Sequence, residues 1–198
     1  MSPSQEEARA ALRARQGAGA RYDAGTAPAE ELDLARRGTA YFARILTNLS
    51  DEGLLGASSV QGKNRRWLVA AISLQARMLA QAISFVRSNA CRPLPFDFSI
   101  GSSEIAFAAT LPSQALRNLF AHSEVHLNVE WRDLSGEGWT NWFEDHRGRR
   151  LFVRETPFIR ASRLWRCAVD LNAGGRQIDI PAQLKSVSLA VADPLPPI

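Results

Sequence analysis

Leu111–Leu134, LPSQALRNLFAHSEVHLNVEWRDL, is the stretch on which the fold turns. Pro112 and Ser113 open it, Leu116, Leu119, Phe120 and Leu127 recur at helical spacing, and Asp133, Ser135 and Gly136 close it. The pattern predicts a long helix with one apolar face. His122, His126 and Glu130 stand four apart, with Ser123 among them, and this spacing is expected to stack them on that face, pointing at whatever the helix packs against. Two readings of the row stand side by side. It is a site for a metal or small molecule, or it is a core polar network whose members hydrogen-bond one another. A metal would need a further ligand from another element.

Outward from this helix, three more amphipathic stretches appear. Ala29–Leu49 follows Pro28, carries Glu30, Glu31 and Asp33 in its first turn, and repeats Leu34, Tyr41, Phe42, Ile45, Leu46 and Leu49. Arg65–Arg87 begins after the cap residue Asn64, with Leu68, Ile72, Leu79, Ile83 and Val86 as its buried stripe. Pro157–Leu171 follows the cap Thr156, runs through Phe158, Ala161, Leu164, Trp165, Ala168 and Leu171, and stops at Asn172 and Gly174-Gly175. Trp139–Phe143 and Leu151–Val153 flank the polar, glycine-ended Glu144–Gly148 and predict a β-hairpin between the last two helices. Asn89–Gly101, with Pro93 and Pro95, reads as an irregular connection. The expected fold is mainly α: a four-helix bundle over residues 26–181, with an N-terminal arm over 1–25 and a proline-rich tail over 182–198.

Composition narrows the function. With 198 residues and 45% hydrophobic content the chain can bury one good core. Lys and Arg exceed Asp and Glu by 24 − 20 = 4, but pairs such as Arg36-Arg37, Arg65-Arg66 and Arg149-Arg150 fall in different elements without a long basic run, so nucleic acid is not an expected partner. Two cysteines, Cys91 and Cys167, without a CxxC, fit a reducing cytoplasm, with a disulfide between them left open. Met1–Gln16 is charged throughout and no uninterrupted apolar run reaches membrane-span length, so neither a signal peptide nor a membrane span is expected. No internal repeat, glycine-rich phosphate loop or Gly-x-Ser-x-Gly elbow occurs.

Four segments carry a family resemblance: ARQGAGARYDA at Ala14–Ala24, ARRGTAYFARIL at Ala35–Leu46, ATLPSQALRNLFAHSEVHLNVEWRDL at Ala109–Leu134 and RETPFIRASRLWRCAVDL at Arg154–Leu171. Together they resemble the mycothiol-dependent maleylpyruvate isomerases of the DinB-like superfamily over about Ala14 to Pro181. The resemblance implies a four-helix bundle, a divalent metal such as zinc inside it, and a low-molecular-weight thiol used to isomerise maleylpyruvate to fumarylpyruvate. It also implies three metal ligands: a histidine in helix two, within a pattern like Gly-Trp-Thr-Arg-x-His-x-x-x-His, and a Glu-x-x-x-His pair in helix four ahead of Ala-Val-Asp-Leu. Here GKNRRWLVAA puts Trp67 at the earlier histidine and Ala71 at the ligand, while RLWRCAVDL puts Arg163 at the glutamate and Cys167 at the histidine. Ala71 has no donor atom and Arg163 is a permanent cation, so Cys167 alone cannot hold a metal, and no cofactor is expected. The family's usual carboxy-terminal domain is expected to be absent, since few residues follow Leu171.

The candidate pocket is therefore His122, His126, Glu130, Arg163 and Cys167. Within it His126 and Glu130, which recur in the family's helix-three motif, orient or enclose the site or make a core hydrogen bond. Arg163 is a snorkelling surface residue or the partner of a buried carboxylate such as Glu130. Cys167 is a small buried hydrophobe, or a thiolate favoured by Arg163 and Arg166 if exposed. If Glu130 reaches Arg163 the pocket closes and a scaffold results; if not, Arg163 and His126 form a cationic floor for a small anionic metabolite. Three functions follow: a metal-free binder of a small molecule or partner, a retained thiol-dependent isomerase or transferase with its site moved to His122, His126 and Glu130, or a structural interaction module. The sequence leaves the oligomeric state open.

Overall fold

The structure, a computed structural model, describes residues 22–88, 94–95, 98–144, 148 and 150–185. Most of the expected arm, the tail beyond 185, Cys91 and most of the hairpin turn lie outside the described residues. Six α-helices are described: α1 (Ala29–Asn48), α2 (Asp51–Leu55), α3 (Arg65–Ser88), α4 (Ser102–Ala108), α5 (Ser113–Asp133) and α6 (Thr156–Asp170). Strands β1 (Leu94–Pro95), β2 (Trp142–Glu144) and β3 (Arg150–Phe152) form one small sheet. The four long helices start and end within two residues of the spans expected from their apolar stripes. Asn64 caps α3 as its sequence suggests, its Oδ1 accepting the Trp67 N–H at 2.9 Å. Thr156 does not cap α6. It is the first helical residue, and its hydroxyl accepts from Trp131 Nε1 at 3.1 Å and donates to the Val153 carbonyl at 2.8 Å, fastening α6 to α5.

Two short helices escaped the sequence reading. Ser50 caps α2 by accepting the Gly53 N–H at 3.0 Å. Arg66 secures the end of the α4 connection through the carbonyls of Ala109, at 2.8 Å, and Leu111. The sheet also gains a strand. Leu94–Pro95 pairs parallel to β2, which the proline permits because β1 is an edge and Pro95 has no N–H to donate. β2 and β3 form the expected hairpin, with Phe143 and Leu151 facing the core.

Cross-helix contacts fix the topology. Arg36–Asn128, Thr39–Glu124 and Phe42–Phe120 step in opposite senses, so α1 and α5 are antiparallel. Arg66–Ser113 and Arg87–Glu130 step in the same sense, so α3 and α5 are parallel, and the chain must run back between them through β1 and α4. α3 packs mainly on α5, and α1 on α6. The second pair is close because Gly38 sits under Trp165; a Cβ there would lie 2.9 Å from Trp165 Nε1, which donates to the Leu34 carbonyl. α3 is long and apolar enough to cross a membrane by length and composition, and 78% of that window is buried in the bundle.

A strap beyond α6 returns to α1. Asn172 turns the chain at φ 51° and Gly174 at φ 105°, which suits a residue type tolerant of the left-handed region and one without a Cβ. Arg176 then forks onto Asp179 at 2.8 and 3.1 Å, and Tyr41 donates to the same carboxylate at 2.6 Å. The Arg176 and Tyr41 hydrogen bonds hold the Asp179 carboxyl down at about 2. A depressed carboxyl stabilises above its unfolded pKa of ~3.9, and this contribution is lost as pH falls through the folded value. The Arg176 Nε–H resonance should accordingly move toward that of a free arginine as pH falls, with its midpoint at about 2. In Asp179→Asn it should hold still; an identical shift there would mean that another group controls the strap.

Candidate functional site

The centre of the bundle is polar, and its members are not those expected. Arg160 on α6 is 0% exposed. Its Nη1 donates to the Ile72 carbonyl at 2.7 Å and to Gln75 Oε1 at 2.6 Å, and its Nη2 is ion-paired with Glu124 Oε1. Glu124 Oε2 accepts from Thr39 Oγ1 at 2.8 Å. All four long helices therefore meet through one buried guanidinium and one buried carboxylate. Gln75 Nε2 and Arg160 Nε have no hydrogen-bond partner among the described residues.

Two of the positions that the resemblance aligns with metal ligands, Ala71 and Cys167, lie in one buried cluster where α3 meets α6. Cys167 Sγ sits 3.8 Å from the Leu68 carbonyl, and Arg160 reaches the carbonyl of Ile72, so Leu68–Ile72 of α3 packs on Arg160–Cys167 of α6 with Ala71 buried between those two contacts. Arg163 is 2% exposed, so it is a buried residue and not a snorkelling one. Cys167 is a free, fully buried thiol. Burial, then the nearby Asp170 charge, push its pKa far up against a smaller opposing effect of Arg160, and the balance favours the protonated thiol.

The row on α5 does not gather at the core. His122 is exposed, His126 is 53% exposed at its side chain, and only Glu130 is buried. The reason is helical drift: four residues turn about 400°, so each step along such a row rotates it by about 40°. The true buried stripe is Leu116, Phe120, Ser123, Glu124, Leu127, Glu130 and Trp131, and the row crosses it only at Glu130. Glu130 is held by Arg87 at 3.3 Å and by His126 Nε2 at 3.3 Å. The sequence reading thus missed Arg160, Glu124, Gln75 and Thr39. One signal was available: Glu124 stands in the apolar series 116, 120, 127, 131, and Arg160 in the series 164, 167, 171.

These residues do not fit a divalent metal. Among the described residues no group of three or more His, Cys, Asp or Glu side chains is placed to hold one. At the aligned positions stand a methyl group, a guanidinium and a neutral thiol, and the adjacent Glu124 carboxylate is occupied by Arg160. A groove of about 920 Å³ lies at the start of α3, with Lys63 Nζ 4.4 Å from the centroid of Trp67, but Ala71 does not line it.

Four long helices, a crossover between α3 and α5, and a hairpin before α6 define a DinB-like helical bundle. Solved structures of the mycothiol-dependent maleylpyruvate isomerase share it: one is 33% identical in sequence, a histidine-to-alanine mutant, and another 30% identical, each with a TM-score of 0.72 and covering 79% of this chain. The chain belongs to the mycothiol-dependent maleylpyruvate isomerase family. It spans 65% of the length of each of those chains. No family model and no curated protein matches it.

Proposed function

We propose that the protein is a maleylpyruvate isomerase-type bundle with a degenerate metal site, working as a cytoplasmic, metal-free binder of a small anionic molecule and not as a catalyst. The observation that carries this reading is Arg160: a permanent cation, tied to Glu124, Gln75 and the Ile72 carbonyl, sits next to the aligned position Ala71 and one and two turns ahead of Arg163 and Cys167 on α6. It repels a divalent ion and occupies the nearest carboxylate. The network ties the four helices together, as a central metal with ligands on several helices would. The alternative of an isomerase with a relocated site draws little from His122 and His126, whose rings lie outside the core.

The test is metal content and activity together. Protein stripped with chelator and reloaded with zinc should retain well under one equivalent after gel filtration, and with maleylpyruvate and mycothiol it should give no fumarylpyruvate above the buffer rate. One tightly held zinc per chain, with isomerisation that chelator abolishes, would overturn the reading.

A further inference from the structure

We infer that the outer side of α6 and the strap form a binding site for a small carboxylate with a short hydrocarbon portion, centred on Arg166. This rests on the reading of the protein as an anion binder and names where the anion goes: outside the sealed core. A groove of about 430 Å³ opens between α6 and the segment 177–185, and two cations, Arg166 and Lys185, line it. Neither side chain hydrogen-bonds a described residue, in contrast to the side chains of Arg65, Arg66, Arg117 and Arg160, each spent on backbone carbonyls within the fold. Arg166 is half-buried, which limits its competition with water, and its guanidinium offers the planar donor fork that a carboxylate accepts.

Acidic neighbours leave the site open. Asp170, four residues along α6, feels the Arg166 charge but makes no ion pair with it. Asp179, on the strap itself, is committed to Arg176 and Tyr41. The remaining wall sets the ligand's other end. Ile178 is 76% exposed at the groove and Leu184 is buried behind it, so a short alkyl chain would cover surface that now meets water. Ser162 Oγ already donates to the Phe158 carbonyl at 2.9 Å, so Arg166, Lys185 and the Gln177 amide are the side-chain donors facing the ligand.

Amide and arginine side-chain NMR resonances of the full chain, titrated with butyrate, test this, with butyramide as the uncharged counterpart and inorganic phosphate as a competing anion. Butyrate should saturate with shifts concentrated at Arg166, Gln177, Ile178 and Lys185, and butyramide should leave them in place. Arg166→Lys keeps the charge and loses the fork, and should weaken butyrate about tenfold, the worth of one charge-assisted hydrogen bond. Lys185→Ala, at an exposed rim, should weaken it only a few-fold, on the order of a rim ion pair. Absence of saturation, shifts centred elsewhere, or equal binding of phosphate with no effect of Arg166→Lys would each overturn the site. Because the wild-type shift map stands without any variant, poor folding of Arg166→Lys would not blunt the test. Zinc content is read separately, so this site can fail while the metal-free reading stands.

Discussion

Arg160→Ala is expected to lower unfolding stability by about 3–5 kcal/mol, the largest loss among single substitutions considered for this bundle. The side chain is fully buried, and removing it strips its donors from Gln75 Oε1 and Glu124 Oε1, while the Ile72 carbonyl keeps its place in the helix and Glu124 Oε2 keeps Thr39. Most of the cost comes from Glu124, a carboxylate 9% exposed at its side chain that would keep only the Thr39 hydroxyl. Glu124→Gln should cost somewhat less, because a neutral amide can still accept from Arg160 while its N–H faces Thr39. The double variant Arg160→Met with Glu124→Leu should recover most of the loss. A buried ion pair compensates its own desolvation only when well satisfied, and here Arg160 Nε and Gln75 Nε2 lack partners among the described residues. Urea unfolding reads each of these losses, and the set of wild type, Arg160→Met, Glu124→Leu and the double variant closes the cycle and measures the coupling directly. Additive losses would mean that Arg160 and Glu124 do not depend on each other, and the shared-network account of the core would fall.

The architecture was legible because it rests on periodicity. Leu68, Ile72, Leu79 and Ile83, or Leu164, Ala168 and Leu171, repeat at a spacing that only a helix with one buried face explains, and all are buried. The resemblance was legible because it rests on strings of residues. The interior of the site was not, for two physical reasons. An i, i+4 row drifts across a helix face, so His122, His126 and Glu130 look collinear in sequence while only the last reaches the core. A charged residue inside an apolar stripe is also ambiguous until its partner is known. Arg160 and Glu124 each interrupt such a stripe, but 36 residues separate them, and only the α5 and α6 packing brings them together. Glu130 was an equally plausible match for a buried arginine on spacing alone, yet its ion-pair partners are Arg87 and His126.

Restoring the missing donors should turn this chain into a zinc protein, but only when all three are restored together. The triple variant Ala71→His, Arg163→Glu and Cys167→His places two imidazoles and a carboxylate where α3 meets α6, the segments already joined by the Cys167–Leu68 and Arg160–Ile72 contacts. Room is the first obstacle, since Ala71 is buried and an added imidazole overpacks by about 1–3 kcal/mol. Shortening Arg163 to a glutamate returns volume at the same level of the bundle, so the triple should tolerate the histidine better than Ala71→His alone. Charge is the second obstacle. Arg160 remains beside the site, but Glu124 pairs with it, and exchanging the Arg163 guanidinium for a carboxylate changes the local charge by two units toward the sign a cation needs. At a free zinc concentration a hundred times Kd the metal should add about 2.7 kcal/mol of stability to the triple variant. For a bundle of this size that is a rise in Tm of roughly 5–10 °C. Each single variant should show no zinc-dependent rise, because one or two donors with a cation or a methyl group in the remaining position do not make a tetrahedral site. A triple variant that is helical by circular dichroism yet melts at the same temperature with and without zinc would show that Ala71, Arg163 and Cys167 do not share one site, and the assignment of the ancestral metal position to this part of the bundle would be wrong.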